Sequence, residues 1–254
     1  MHMSYAEAII SGIVQGVTEF LPISSSGHLV ILHNYFGFKE PQLLFDIFLH
    51  IGTLFAVVVY FWRDIIDLIA TKRRIVSFII IGTIPTVLIG YSFSAIFESY
   101  FADIKVVGSM LLVTAIFLFA ADWAGRRSLD AAAVGRMTWF KAIIIGIVQG
   151  IAIMPGISRS GSTISSAMLL KVDRRQAIRF SFLLSIPAVL GAVVFKLSNI
   201  TVTAAVTSNM AVGAFFAFIF GLGAIYLLIK SVINSNLKFF GFYCLLTGGV
   251  ILAL

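Results

Sequence analysis

Four side chains in this chain combine into chemistry that an apolar protein does not need for folding. Glu19 and His28 lie in the run Gly12-Ile-Val-Gln-Gly-Val-Thr-Glu-Phe-Leu-Pro-Ile-Ser-Ser-Ser-Gly-His28, with Ser25 between them. Arg159 lies in Gly146-Ile-Val-Gln-Gly-Ile-Ala-Ile-Met-Pro-Gly-Ile-Ser-Arg-Ser-Gly-Ser162. The second run repeats the first. Gln15 pairs with Gln149, Ser24 with Ser158, Ser26 with Ser160 and Gly27 with Gly161, at a constant offset of 149 − 15 = 134. A hydroxyl nucleophile, an imidazole, a carboxylate and a guanidinium are the parts of a phosphoryl-transfer site. The guanidinium fork grips phosphate oxygens in pairs.

Each reading has a plainer rival. The Ser and Gly residues at the two breaks expose free N–H groups at a helix start near Gly27 or Gly161, which attract anions. Small residues also simply let membrane helices pack closely. Arg159 at membrane depth costs about 2.5–3.5 kcal/mol on insertion scales, so it needs a partner or a wet cavity. A salt bridge to Glu19 would serve as well as a phosphate. Gln15 and Glu19, four apart, share a helical face. They could hold a Mg²⁺ that bridges carboxylate to phosphate, or Glu19 could be protonated or paired with Arg159 and hold no metal. His28 follows Ser25 by three residues and is weighted by its neighbours. His33 and His50 are read as structural.

These residues sit in a chain whose solvent is lipid. Its 254 residues are 60% hydrophobic and 11% charged, with mean hydropathy +1.06. A soluble domain carries about 25% charged residues. The net charge of +7 therefore reports basic loops rather than nucleic-acid binding. The single cysteine, Cys244, excludes an internal disulfide and argues against a metal or redox role. The N-terminus lacks the basic start of a cleaved signal, so the first apolar segment is expected to stay.

The expected fold is an all-α polytopic membrane protein. Pro22 and Ser24-Ser25-Ser26-Gly27 interrupt the first apolar stretch, leaving two halves, each shorter than the roughly 20 residues that span a bilayer. They read as a re-entrant helix hairpin, tolerated at depth only where buried in protein or lining a cavity. Three transmembrane helices follow at about 44–62, 75–97 and 105–123. A second hairpin at about 138–170 and three more spans at about 176–197, 206–229 and 238–254 complete the chain. One membrane domain, 1–254, thus holds repeat 1 (about 1–124) and repeat 2 (about 138–254), joined by 124–137. Three spans per half invert the second repeat, an architecture common in transporters. Arg63, Lys72, Arg73, Arg74, Arg126, Arg127, Arg136, Lys171, Arg174 and Arg175 fall on one side; Lys39, Glu40, Glu98 and Asp103 fall on the other. The basic side should be cytoplasmic, with both termini outside and the two tips meeting within the bilayer.

The paired motifs Gln15-Gly-Val-Thr-Glu-Phe-Leu-Pro-Ile-Ser-Ser-Ser-Gly-His28 and Pro155-Gly-Ile-Ser-Arg-Ser-Gly-Ser-Thr163, with Phe182-Leu-Leu-Ser-Ile-Pro187, resemble the undecaprenyl-diphosphate phosphatase, or bacitracin-resistance protein, family over essentially the full length. The resemblance implies hydrolysis of a C55 polyprenyl diphosphate to the monophosphate and inorganic phosphate, recycling the lipid carrier for cell-wall polymers. It also implies Mg²⁺ or Ca²⁺ dependence and a multi-pass protein of the cell membrane whose site opens to the outer face. The partners are the lipid substrate and membrane lipids, not nucleic acid; a homodimer is left open. By the same resemblance Glu19 matches the second acid of the acidic motif, Ser25 the serine proposed as nucleophile, His28 the catalytic histidine and Arg159 the essential arginine. Ser158, Ser160 and Thr163 match its flanking hydroxyls. Ser24, Ser26, Gly27 and Gly161 complete the expected phosphate cradle. Gln15 departs from the glutamate of many members, which weakens the Glu19–Gln15 metal pair. In one variant His28 rather than Ser25 attacks. The competing class is a lipid-phosphate flippase or anion carrier using the same tips.

Overall fold

The computed structural model describes residues 3–38, 42–70, 73–101, 103–127, 135–199, 208–234 and 236–254. Lys39, Glu40, Lys72 and half of the expected link lie outside these. Among the described residues the named elements are all helices: α1 (Tyr5–Phe20), α2 (Ser25–Tyr35), α3 (Leu43–Tyr60), α4 (Trp62–Ala70), α5 (Arg73–Ser92), α6 (Ser94–Tyr100), α7 (Ile104–Arg127), α8 (Trp139–Ile151), α9 (Arg159–Leu169), α10 (Arg174–Asn199), α11 (Ser208–Ile233) and α12 (Leu237–Ala253). Five of them, α3, α5, α7, α10 and α11, are long and apolar enough to cross a membrane. The chain is a polytopic membrane protein. The last expected span is the 17-residue α12, about 25 Å long at 1.5 Å per residue. Two short helices differ from the expectation. α4 occupies what was read as a loop, and α6 splits off from the end of the second span.

The two broken elements form where their sequences break. A capping box opens α1: Ser4 Oγ accepts from Glu7 N, and Glu7 accepts from Ser4 N at 2.7 Å. α1 stops because Pro22 disfavours helical dihedrals at the residue before it, and Leu21 is extended. Ser24 then caps α2 and Ser158 caps α9, each accepting from the backbone N–H three residues on, Gly27 and Gly161. Both caps start their helices two residues earlier than the sequence suggested, at Ser25 and Arg159. The equivalence of the tips extends to the hydroxyl pairs Ser24–Ser26 and Ser158–Ser160, both 3.3 Å apart.

The tips meet. Gly156 N donates to Ser24 Oγ at 3.1 Å, and Ser160 Oγ reaches the Leu21 carbonyl at 3.4 Å. Gly156 has φ +94°, and a side chain there would collide with the Val107 carbonyl of α7, so this turn requires glycine. Around the tips, α1 packs on α11, α8 on α5, and α7 on α12. The first two contacts are close approaches of backbone. A Cβ at Gly12 would meet the Gly213 carbonyl, and one at Gly146, its partner in the repeat, would meet the Gly82 carbonyl. Small residues at such crossings are how helices associate without a hydrophobic driving force.

The core lies beneath the site. Phe20, buried next to Glu19, packs its ring 5.6 Å from Phe182, and Phe61 packs 5.2 Å from the same ring. At the basic end Arg174 donates to the carbonyls of Gly125 at 2.7 Å and Ile233 at 3.1 Å. It satisfies late carbonyls of α7 and α11 that those helices leave without partners.

Candidate active site

Glu19 sits in the last turn of α1, 8% exposed. Its two oxygens are held from opposite sides. Arg159 Nη2 closes an ion pair on Oε1. Ser25 Oγ donates to Oε2 at 2.5 Å. Gln15 Nε2, one turn earlier on α1, donates to Oε2 at 3.1 Å. Ser25 and Arg159 are the first residues of α2 and α9, so the two caps that start those helices also aim these two side chains at one carboxylate.

Glu19, Ser25 and Arg159 line the floor of a cavity of about 400 Å³ that also includes Ser24, Ser26, Ser158 and His50, while Gln15 is fully buried and does not line it. Its size falls within the range of about 300–1,000 Å³ typical of ligand pockets. Buried polar atoms normally have partners. Here Arg159 Nη1 and Gln15 Oε1 are buried with none. Each is an unused donor or acceptor immediately beside Glu19.

The structure places the remaining expected residues less evenly. Ser24 has φ 68°, an uncommon conformation for a side chain other than glycine. It is held by Gly27 N and Gly156 N on its Oγ and by the His28 ring on its carbonyl. Ser160, Gly161 and Thr163 are fully enclosed. Gly161 N binds Ser158 Oγ at 3.1 Å, and Thr163 Oγ1 contacts Ser181 Oγ at 2.6 Å. They build the second tip from behind rather than lining the cavity, and Gly27 does the same for the first.

His28 is turned away from Ser25. Its Nδ1 bonds the Ser24 carbonyl at 2.7 Å, its Nε2 bonds Tyr243 Oη of α12 at 2.7 Å, and the two rings stack at 5.7 Å. Both nitrogens are thus committed, and the ring is not among the cavity-lining groups. The three-residue spacing to Ser25 suggested otherwise because helical neighbours at that spacing meet on one face. Ser25 is instead the first helical residue, and its hydroxyl reaches back to α1.

Two imidazoles do line the cavity, His33 of α2 and His50 of α3, and the one beside Glu19 is His50, with 32% of its side chain exposed. Its Nδ1 lies 3.0 Å from Gln15 Nε2 and 3.7 Å from Glu19 Oε2. Gln15 Nε2 can only donate, so Nδ1 accepts and the ring proton sits on Nε2. The sequence offered one signal for this role. Asp46 and His50 are four apart in an apolar run, hence on one face, and both line the cavity.

The donor set does not make a ready divalent-cation site. Mg²⁺ wants six oxygens and Ca²⁺ six to eight. The floor supplies one carboxylate, already engaged by Arg159, Ser25 and Gln15. No cluster of three His, Cys, Asp or Glu side chains that could hold a metal occurs among the described residues. Gln15 Oε1 is a buried protein oxygen without a partner one turn from Glu19.

The chain is similar to named proteins over nearly all of its length. Curated proteins named undecaprenyl-diphosphatase match along their whole lengths. That of Caldicellulosiruptor bescii is 41% identical over 261 residues, 99% of this chain and 97% of its own. That of Desulfatibacillum aliphaticivorans is 39% identical over 276 residues, 98% of each chain. That of Halothermothrix orenii is 39% identical over 258 residues, 99% of this chain and 98% of its own. The family model described as bacitracin resistance protein BacA matches residues 8–250. Since that match takes in both tips and all five long helices, the chain belongs to the bacitracin resistance protein BacA family.

Proposed function

We propose that this chain is an undecaprenyl-diphosphatase, an integral membrane hydrolase that converts undecaprenyl diphosphate to undecaprenyl phosphate and inorganic phosphate. The observation that carries the reading is the convergence of Ser25 and Arg159 on the two oxygens of Glu19 in a cavity. A hydroxyl bonded to a carboxylate is an activated nucleophile. A guanidinium with one buried nitrogen to spare is an electrophilic partner for the phosphoryl oxygens.

The steps follow from those contacts. Ser25 Oγ attacks the terminal phosphorus while its proton moves to Glu19 Oε2. The bond from that phosphorus to the bridging oxygen breaks, and the lipid monophosphate departs with the proton from Glu19. Water then attacks the phosphoserine, giving its proton to Glu19, which returns it to Ser25 Oγ as inorganic phosphate leaves. Arg159 steadies the phosphoryl charge throughout. His28 supports the tip from behind, through the Ser24 carbonyl. The divalent cation implied by the family is assigned here to the diphosphate it would arrive on, and no step depends on it.

The inverted-repeat reading is part of this proposal. It is supported by the exchange of partners between the halves, α1 on α11 and α5 on α8, at positions related by the 134-residue offset. The loop charges support an outward-facing cavity with a cytoplasmic basic face. The relatives are phosphatases by name, and none speaks for the transport reading. Phosphate release from C55 diphosphate by purified protein in detergent or liposomes, wild type beside Ser25→Ala and with or without chelator, tests the function. No release by the folded wild-type protein with Mg²⁺ or Ca²⁺ present sinks it.

A further inference from the structure

We infer that the polyprenyl tail of the substrate leaves the cavity sideways, through a seam between α5 and α10. The inference rests on the phosphatase reading and deepens it. The cavity is chemically divided. Its floor carries Glu19, Ser25 and Arg159, while the wall formed by α5 and α10 carries Val87, Tyr91, Ala188, Gly191, Ala192 and Phe195. These wall residues carry no charged side chain and, apart from the Tyr91 hydroxyl, only apolar groups, which suits an isoprenoid.

Three observations fix the seam as the route. Both helices are long apolar candidate spans, so the seam between them, where Tyr91 and Phe195 meet edge to face at 6.0 Å, faces lipid rather than water. The seam residues are not packed away: Tyr91 is 71% and Val87 51% exposed, and a Cβ built on Gly191 meets nothing within 4 Å. The floor is continuous with this wall in one cavity, so a diphosphate seated at Arg159 places its first isoprene units against α5 and α10. A hydrophobic chain drawn from the bilayer avoids the cost of crossing a polar rim. The same cavity has such a rim elsewhere, at Asn34, Asp46 and Glu98. That opening suits water entry and phosphate release. The molecule thus separates a lipid door from an aqueous one.

The test fills the seam without touching the floor. Gly191→Phe puts a ring into open space and improves helix propensity over glycine, so folding should hold. Purified wild type and variant are assayed on the C55 diphosphate and on a C10 diphosphate of the same head group. The seam predicts that Gly191→Phe lowers kcat/KM on the C55 substrate by about tenfold or more, through lost burial of a few methylenes. It also predicts a clearly smaller loss on the C10 substrate, whose two isoprene units engage only the inner part of the seam. Equal losses on both substrates, or no loss on either, would overturn it. A wild type inactive on both substrates refutes the phosphatase reading instead, which keeps the two failures apart.

Discussion

Ser25 and Arg159 hold the same position in two copies of one element, 134 residues apart, and each closes on its own oxygen of Glu19. Duplication gave two equal helix starts. Divergence left one a hydroxyl and the other a cation, and the single carboxylate they share lies on the first copy, where the second has Ile153. The asymmetry gives two equivalent helix starts different chemistry around one carboxylate. It also separates the roles cleanly enough to test each side chain.

For Arg159 the expectation is loss of transition-state charge stabilisation. Lysine keeps the charge and loses the fork, so it cannot hold Glu19 Oε1 and a phosphoryl oxygen together. Arg159→Lys should lower kcat by about a hundredfold, the scale seen when one donor to a developing oxyanion is removed. Steady-state phosphate release measures it, with thermal unfolding as the control for folding. Near-normal turnover by a folded variant means that Arg159 serves only its ion pair with Glu19.

For Ser25 the expectation is a covalent intermediate of defined chemistry. Rapid acid quench with labelled diphosphate should trap phosphate on the peptide containing Ser25. That adduct survives acid, whereas a phosphohistidine does not. Label that appears only under alkaline quench, and maps to His28, would transfer the nucleophilic role to the imidazole. That would require the ring to release both the Ser24 carbonyl and Tyr243.

Much of this site was legible in the sequence because the repeat made it so. Matching Gly, Ser and Gln positions identified both tips, and a lone carboxylate with a lone arginine named their shared target. His28 and His50 sit differently with respect to the cavity than their sequence neighbours suggest, for a reason in the backbone. His28 is one turn from Ser25, but its ring is drawn off to the Ser24 carbonyl and α12. His50 is 31 residues from Glu19, with only its spacing to Asp46 as a hint. Contacts between helices distant in sequence are set by packing, such as the Gly12–Gly213 crossing that brings α1 to α11, and no local pattern reports them. α4 and α6 were missed because short helices at the ends of spans carry the same composition as the spans or the loops beside them.

The orientation can be tested directly. Reporter fusions after Leu254 should report an external C-terminus, and fusions in the loop after α4, beside Arg73 and Arg74, should report a cytoplasmic one. A cytoplasmic C-terminus would place an even number of crossings after the basic loop of the first half. The two repeats would then share one orientation, and the inverted arrangement would fail.

His50 should matter through Glu19. Gln15 Nε2 bridges the carboxylate and the ring, so removing the ring frees Gln15 to turn and loosens Glu19. His50→Ala should lower kcat by roughly tenfold with a smaller change in KM, the pattern of a lost interaction that acts on the reacting state. Unchanged kinetics would make His50 part of the wall only.

Gln15 offers the sharpest test of the metal question. The floor presents one carboxylate, and Gln15 Oε1 is buried beside it without a partner. Glutamate at this position would place a second carboxylate on the same helical face, one turn from Glu19. That converts a poor cation site into the two-carboxylate arrangement that suits Mg²⁺. Gln15→Glu is expected to stay active and to lower the Mg²⁺ concentration giving half-maximal rate. Glu19→Gln should abolish turnover at any metal concentration, because it removes the base for Ser25 as well as the charge. Metal titrations of both single variants and the double variant measure the coupling between the positions. A Mg²⁺ curve unchanged by Gln15→Glu would mean that the cation never touches this helix face. Glu19 would then act through Ser25 and Arg159 alone.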